Sequence, residues 1–119
     1  MKNVNQTGNV NNDVMDRLVA FITTTTYASL PAEIITLAKQ AMIDTLGVSI
    51  AGWREDAVQK MIAVYGEQAG NASLFAQAKK TSEENAALIN GTATHVLDYD
   101  DASAGVIIHP SAPILAAIT

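Results

Sequence analysis

The stretch PAEIITLAKQAMIDTLGVSIAG, residues 31–52, sets the fold class. Pro31 suits a helix start, where its missing N–H removes no intrahelical bond. After it, Ile34, Leu37, Ala41 and Val48 form one helical stripe, and Ile35, Ala38, Met42, Leu46 and Ile50 form a second beside it. Apolar side chains thus cover more than half the circumference, the pattern of a helix buried on several sides. Gly47, Ala51 and Gly52 carry little or no side chain and permit close approach by a neighbour, although each Gly costs about 1 kcal/mol of helix propensity against Ala. Tight packing is the plainest reason for them.

Outward from this segment the signals remain helical. Asp13 is a candidate N-cap for a first helix carrying Val14, Leu18, Phe21 and Ile22, which should fade in the β-branched run Thr23–Thr26. Glu55 and Asp56 open a third helix at its positive end, with Val58, Met61, Ile62 and Tyr65 along one face as far as Gly66–Gly70. Ala72–Ala76 reads as a short extended segment. Thr81 and Glu84 fit a capping box, placing a fourth helix over about Ser82–Leu97. A last helix begins around Pro110–Pro113 and shows no stop signal before Thr119. The expectation is an all-α chain of about five helices. It comprises a disordered polar tail over residues 1–12 and, over 13–119, the leading part of a larger helical domain.

Composition narrows the function classes. The chain has 119 residues, 49% hydrophobic and 16% charged, which is enough apolar surface to offset the entropy of ordering. A net charge of -5 gives no footprint for nucleic acid or an anionic membrane. No cysteine is present, which excludes a thiol nucleophile or Cys-held metal from these residues. The polar start MKNVNQTGNVNN lacks the apolar core of a signal peptide, and no apolar run approaches a membrane span. A soluble, cytoplasmic protein is expected.

The charge is unevenly placed. All seven cations lie within the first 80 residues, balanced by seven carboxylates, and the excess comes from Glu83, Glu84, Asp98, Asp100 and Asp101. Both histidines, His95 and His109, lie in that same last part. On a continuous helix Gly91, His95 and Asp98 would share a face, with a small cleft beside the imidazole. Three carboxylates crowd the negative helix end between apolar segments (Val96, Leu97, Tyr99, Val106, Ile107 and Ile108), and buried charges must be paired. A divalent metal held by His95, Asp98, Asp100 and His109 is one such partner, and would suit a metal-dependent hydrolase, although no recognised ligand spacing is present. A solvated helix end is the bland alternative. A non-catalytic helical subunit or interaction module is another, with apolar helices docking on a partner.

Three segments together, PAEIITLAKQAMIDTLGVSIAG (31–52), AALINGTATHVLDYDD (86–101) and HPSAPILAA (109–117), resemble the N-terminal part of the MmgE/PrpD family, which includes 2-methylcitrate dehydratase, cis-aconitate decarboxylase and iminodisuccinate epimerase. The resemblance implies a large helical domain joined to a smaller α/β domain in a longer, homodimeric protein. It implies proton transfer beside a carboxylate of a small di- or tricarboxylate, with no metal or organic cofactor, most closely as in a dehydratase. On that pattern Asp98 and His109 are the catalytic residues; His95, Asp101 and Ser103, which neighbour them in the sequence, are expected to line the substrate site. The Thr common after the last Asp is replaced here by Ala102, followed by Ser103. Further lysines and other residues would come from later segments, so residues 1–119 alone are expected to be inactive.

Overall fold

The computed structural model describes residues 7–118. Among these, five α-helices alternate with one 3₁₀ turn and a two-stranded hairpin, in the order α1 (Thr7–Thr24), the turn Tyr27–Ser29, α2 (Ala32–Gly52), α3 (Asp56–Tyr65), β1 (Ala72–Ser73), β2 (Lys80–Thr81), α4 (Glu83–His95) and α5 (Ser111–Ile118). The all-α expectation holds, and the extended segment at Ala72 becomes half of a hairpin in which Ala72 faces Thr81 and Ser73 faces Lys80.

The chain divides into two compact units, residues 1–35 and 36–119. In the first, α1 begins at Thr7, so Asp13 lies inside the helix and does not cap it. Residues 7–12 of the expected polar tail are therefore helical, while residues 1–6 lie outside the described residues. The helix ends within the threonine run, where Thr23 and Thr24 turn their hydroxyls back onto the carbonyls of Val19 and Ala20. The Pro31 carbonyl accepts the first α2 bond, from the Ile35 N–H at 3.2 Å.

In the second unit α4 is the central element. Its Ala86, Ile89 and Ala93 share one core with Trp53, Val58, Ala72 and Leu74, flanked by Met61, Ile62, Ala76 and Val96. Buried polar groups on the helix are all engaged. Asn90 donates from Nδ2 to the Ser73 carbonyl (2.9 Å) and accepts from the Phe75 N–H (3.0 Å), clamping the hairpin to the helix. Thr94 Oγ1 meets Ser49 Oγ on α2 at 2.7 Å. The N-cap is Ser82, one residue after the expected Thr81, and its hydroxyl accepts from the Asn85 N–H. Thr81 instead donates to the Tyr65 carbonyl, which also accepts from Asn85 Nδ2, so the end of α3 is capped from β2 and α4.

The part of α2 that is buried is not the part its apolar stripes indicate. Within this chain its buried residues are Thr45, Ser49 and Gly52, whereas Ile34, Leu37, Met42, Ile43, Leu46 and Ile50 are exposed. Ser49 and Gly52 face α4, where the two backbones meet closely, while Thr45 returns its hydroxyl to the Ala41 carbonyl. A Cβ at Gly52 would stand 2.2 Å from the Ala93 carbonyl oxygen and 2.7 Å from Val96 Cγ1. By length and composition α2 is also long and apolar enough to cross a membrane, contrary to the expectation that no apolar run approaches such a span. Core helices of soluble proteins have the same property.

Two substitutions separate packing from propensity. Gly52→Ala should destabilise the protein by about 1–3 kcal/mol, because the obstructing atom is backbone and cannot swing aside. Gly47→Ala meets nothing within 4 Å among the described residues and should stabilise it by up to about 1 kcal/mol. Urea unfolding midpoints that move in the same direction would contradict this packing.

Candidate active site

Helix α4 stops at His95, two residues earlier than expected, with Val96 as its C-cap. Asp98 then takes a left-handed backbone (φ 54°), which Asp tolerates better than most residues. The expected common helical face of Gly91, His95 and Asp98 therefore does not form. Instead the reversal carries Tyr99 outward and Asp100 inward: Tyr99 is exposed, and the Asp100 side chain keeps only 1% of its surface.

Asp100 is the residue around which the site is assembled. Its two oxygens lie 3.0 and 3.2 Å from His95 Nδ1, and Oδ1 lies 3.3 Å from His109 Nδ1. The imidazoles meet edge to face, with centroids 4.7 Å apart. On the far side of the second ring, His109 Nε2 is 3.6 Å from Asp98 Oδ1, whose side chain is 78% exposed. The sequence-predicted residues His95, Asp98 and His109 are thus brought together. Asp100, absent from the expected catalytic and substrate-binding set, joins them. An αL-tolerant Asp two positions before a second Asp was the available signal, and it was obscured because no Gly marks the helix end.

Asp101 and Ser103 have other work. Asp101 accepts from the Ser111 N–H (3.1 Å) and the Ser111 hydroxyl (2.6 Å), capping the start of α5. That carboxylate occupies the first amide of the helix. The Ser103 backbone closes a turn, donating to the Ile108 carbonyl at 2.9 Å and accepting from Val106 and Ile107. Val106, Ile107 and Ile108 are exposed, so the expected apolar walls on this side of the Asp run are absent within this chain.

A recess of about 320 Å³ opens on the cluster, lined by Gly91, His95, Asp100, His109, Ala112 and Pro113. The small cleft expected beside Gly91 and His95 is present, with Asp100 in place of Asp98. A larger, almost wholly apolar groove of about 540 Å³ adjoins it through Gly91, His95 and Pro113. The polar recess is the one with chemistry in it. A Cβ at Gly91 would make only an ordinary contact with Ala116 on α5, at 3.7 Å.

The sequence matches the MmgE/PrpD N-terminal domain over residues 16–119. The chain belongs to the MmgE/PrpD family. No curated protein matches it, and no solved structure does. The family match includes every residue of the His/Asp cluster as well as α2, which is accordingly a helix of the family's N-terminal domain.

The Asp100 carboxylate raises the His95 pKa above its ordinary 6.5, first through the hydrogen bond and then through charge attraction, with Asp98 adding to it against partial desolvation. A raised pKa means that the folded state favours the protonated ring. The resulting stabilisation is fully present below pH 6.5 and is lost as pH rises through the folded value. An NMR titration should therefore place the His95 midpoint above 6.5, and Asp100→Asn should lower it. A wild-type midpoint at or below the ordinary value would show that the pair does not form.

Proposed function

We propose that this chain is the N-terminal portion of a cofactor-independent lyase acting on a small di- or tricarboxylate, most nearly a 2-methylcitrate dehydratase. Family membership supports the reaction class. The observation that carries the reading is the approach of His109 Nε2 to Asp98 Oδ1 at 3.6 Å, beside a buried carboxylate. An imidazole whose ordinary pKa lies near neutrality can both take and return a proton. The carboxylate and imidazole would divide two transfers, removal of a proton from the carbon beside a substrate carboxylate and delivery of one to the departing hydroxyl. The C–H and C–O bonds break, a carbon–carbon double bond forms, and water leaves. General acid–base catalysis of this kind contributes about 10² to 10⁴ in rate.

Residues 81–119 contain no Lys or Arg, and the first α5 amide is taken by Asp101. Cations from elsewhere in the intact enzyme would therefore hold the substrate's other carboxylates. The reading includes a homodimer working in the cytoplasm, with no nucleic acid or membrane partner.

In the intact enzyme, Asp98→Asn and His109→Ala should each lower kcat for dehydration of 2-methylcitrate or citrate by about 10²-fold or more without unfolding the protein. Near-normal turnover for either removes that residue from the mechanism.

One observation favours a second reading. Donor atoms of His95, Asp98, Asp100 and His109 all lie within 4.8 Å of one another, an arrangement able to hold a divalent ion for a metal-dependent hydrolase. Elemental analysis of the purified protein and turnover in the presence of a chelator distinguish the two. Loss of activity on chelation supports the hydrolase, and indifference removes it.

A further inference from the structure

We propose that Asp100 is a positioning residue that holds the neutral His109 ring with its proton on Nδ1, leaving the Nε2 lone pair free on the side that faces Asp98. The inference rests on the reading of His109 as the proton carrier. It adds a residue to that site and fixes the chemical form in which the imidazole acts.

Three observations lead to it. First, the Asp100 side chain is 1% exposed, so neither oxygen can be satisfied by bulk water, and a buried carboxylate without donors is strongly unfavourable. Second, both imidazoles turn the same atom toward it: His95 Nδ1 at 3.0 Å and His109 Nδ1 at 3.3 Å from Oδ1. An ionised carboxylate only accepts hydrogen bonds, so a nitrogen facing it is favoured when it carries a proton and repelled when it presents a lone pair. Asp98 exerts the same preference on Nε2 more weakly, because its oxygen is farther off, at 3.6 Å, and its side chain is 78% exposed and screened by water, whereas Asp100 is closer and dry. Third, His109 Nδ1 is itself buried and has no hydrogen bond in the unliganded geometry, although Oδ1 is within reach. A small rotation of ring or carboxylate completes the bond. Catalytic hydrogen bonds are often poorly aligned before substrate binds and tighten afterwards.

The surroundings favour this orientation. The His95 ring packs edge-on against His109 at 4.7 Å, restricting its rotation. His95 also occupies the Asp100 carboxylate from the more exposed side, with 56% of its own side chain open to solvent against 32% for His109. The two rings therefore share one acceptor, the exposed one bound to both oxygens and the inner one drawing on Oδ1.

The test reads the tautomer directly. Two-bond ¹⁵N–¹H correlation spectra of the imidazoles in the wild-type protein should show neutral His109 protonated at Nδ1. Asp100→Asn, which removes the charge and leaves a single acceptor for two rings, should shift His109 toward the Nε2-protonated form. In the intact enzyme the same variant should lower kcat by about 10²-fold or more and change KM much less, because the Asp100 side chain, 1% exposed, acts through the ring it orients. Wild-type His109 protonated at Nε2, or an Asp100→Asn spectrum that keeps the proton on Nδ1, overturns the proposal. Should Asp100→Asn fail to fold, the wild-type spectrum decides the matter alone. The two readings fail separately: full turnover by His109→Ala would sink the proton-carrier role and leave the tautomer assignment standing.

Discussion

A carboxylate withdrawn from water must find donors, and the chain from His95 to Ser111 is arranged around that requirement at Asp100. The two histidines stand 14 positions apart in the sequence, and in space their rings meet edge to face with both Nδ1 atoms turned to Asp100. The left-handed residue Asp98 turns the backbone so that Asp100 points inward, and Asp101 immediately caps α5, fixing the element that carries the chain on from His109. Three neighbouring acids thus have three different environments. One is solvent-exposed beside an imidazole, one is buried between two imidazoles, and one is spent on a helix start.

The platform for this turn is α4. It is packed by α2 through Gly52 and the Ser49–Thr94 hydroxyl pair, by the hairpin through Asn90, and by α5 through Gly91. Two of these contacts are hydrogen-bonded polar pairs, added to the apolar core that Ile89 shares with Trp53, Val58 and Leu74. Such contacts tolerate little displacement, since a buried polar group that loses its partner costs about 1–3 kcal/mol. The position of His95 at the end of that helix is therefore closely determined. The exposed apolar faces of α1 and α2 have no comparable constraint among the described residues.

Much of this was legible in the sequence. Helical class, the Pro31 start, the α3 boundaries and the close approach at Gly52 all follow from local rules, since each depends on a residue whose backbone preference is strong. The cluster itself was visible as a charge imbalance. What escaped was the split among Asp98, Asp100 and Asp101, because it depends on where α4 ends. Periodicity alone carries the helix through Val96 and Leu97, and a helix two residues longer puts Asp98 beside His95. The burial of α2 escaped for a related reason. Apolar periodicity shows which faces avoid water, but the contact with α4 is made by Ser49 and Gly52, which allow close approach.

A buried Asp100 organises the two imidazoles, and a high-resolution crystal structure of the unliganded protein is the sharpest check of that arrangement. That structure should show Asp100 shielded from solvent, with His95 Nδ1 and His109 Nδ1 about 3.0 and 3.3 Å from the same oxygen and Asp98 on the opposite side of the His109 ring. An Asp100 side chain turned into solvent, with the two rings separated, would contradict it.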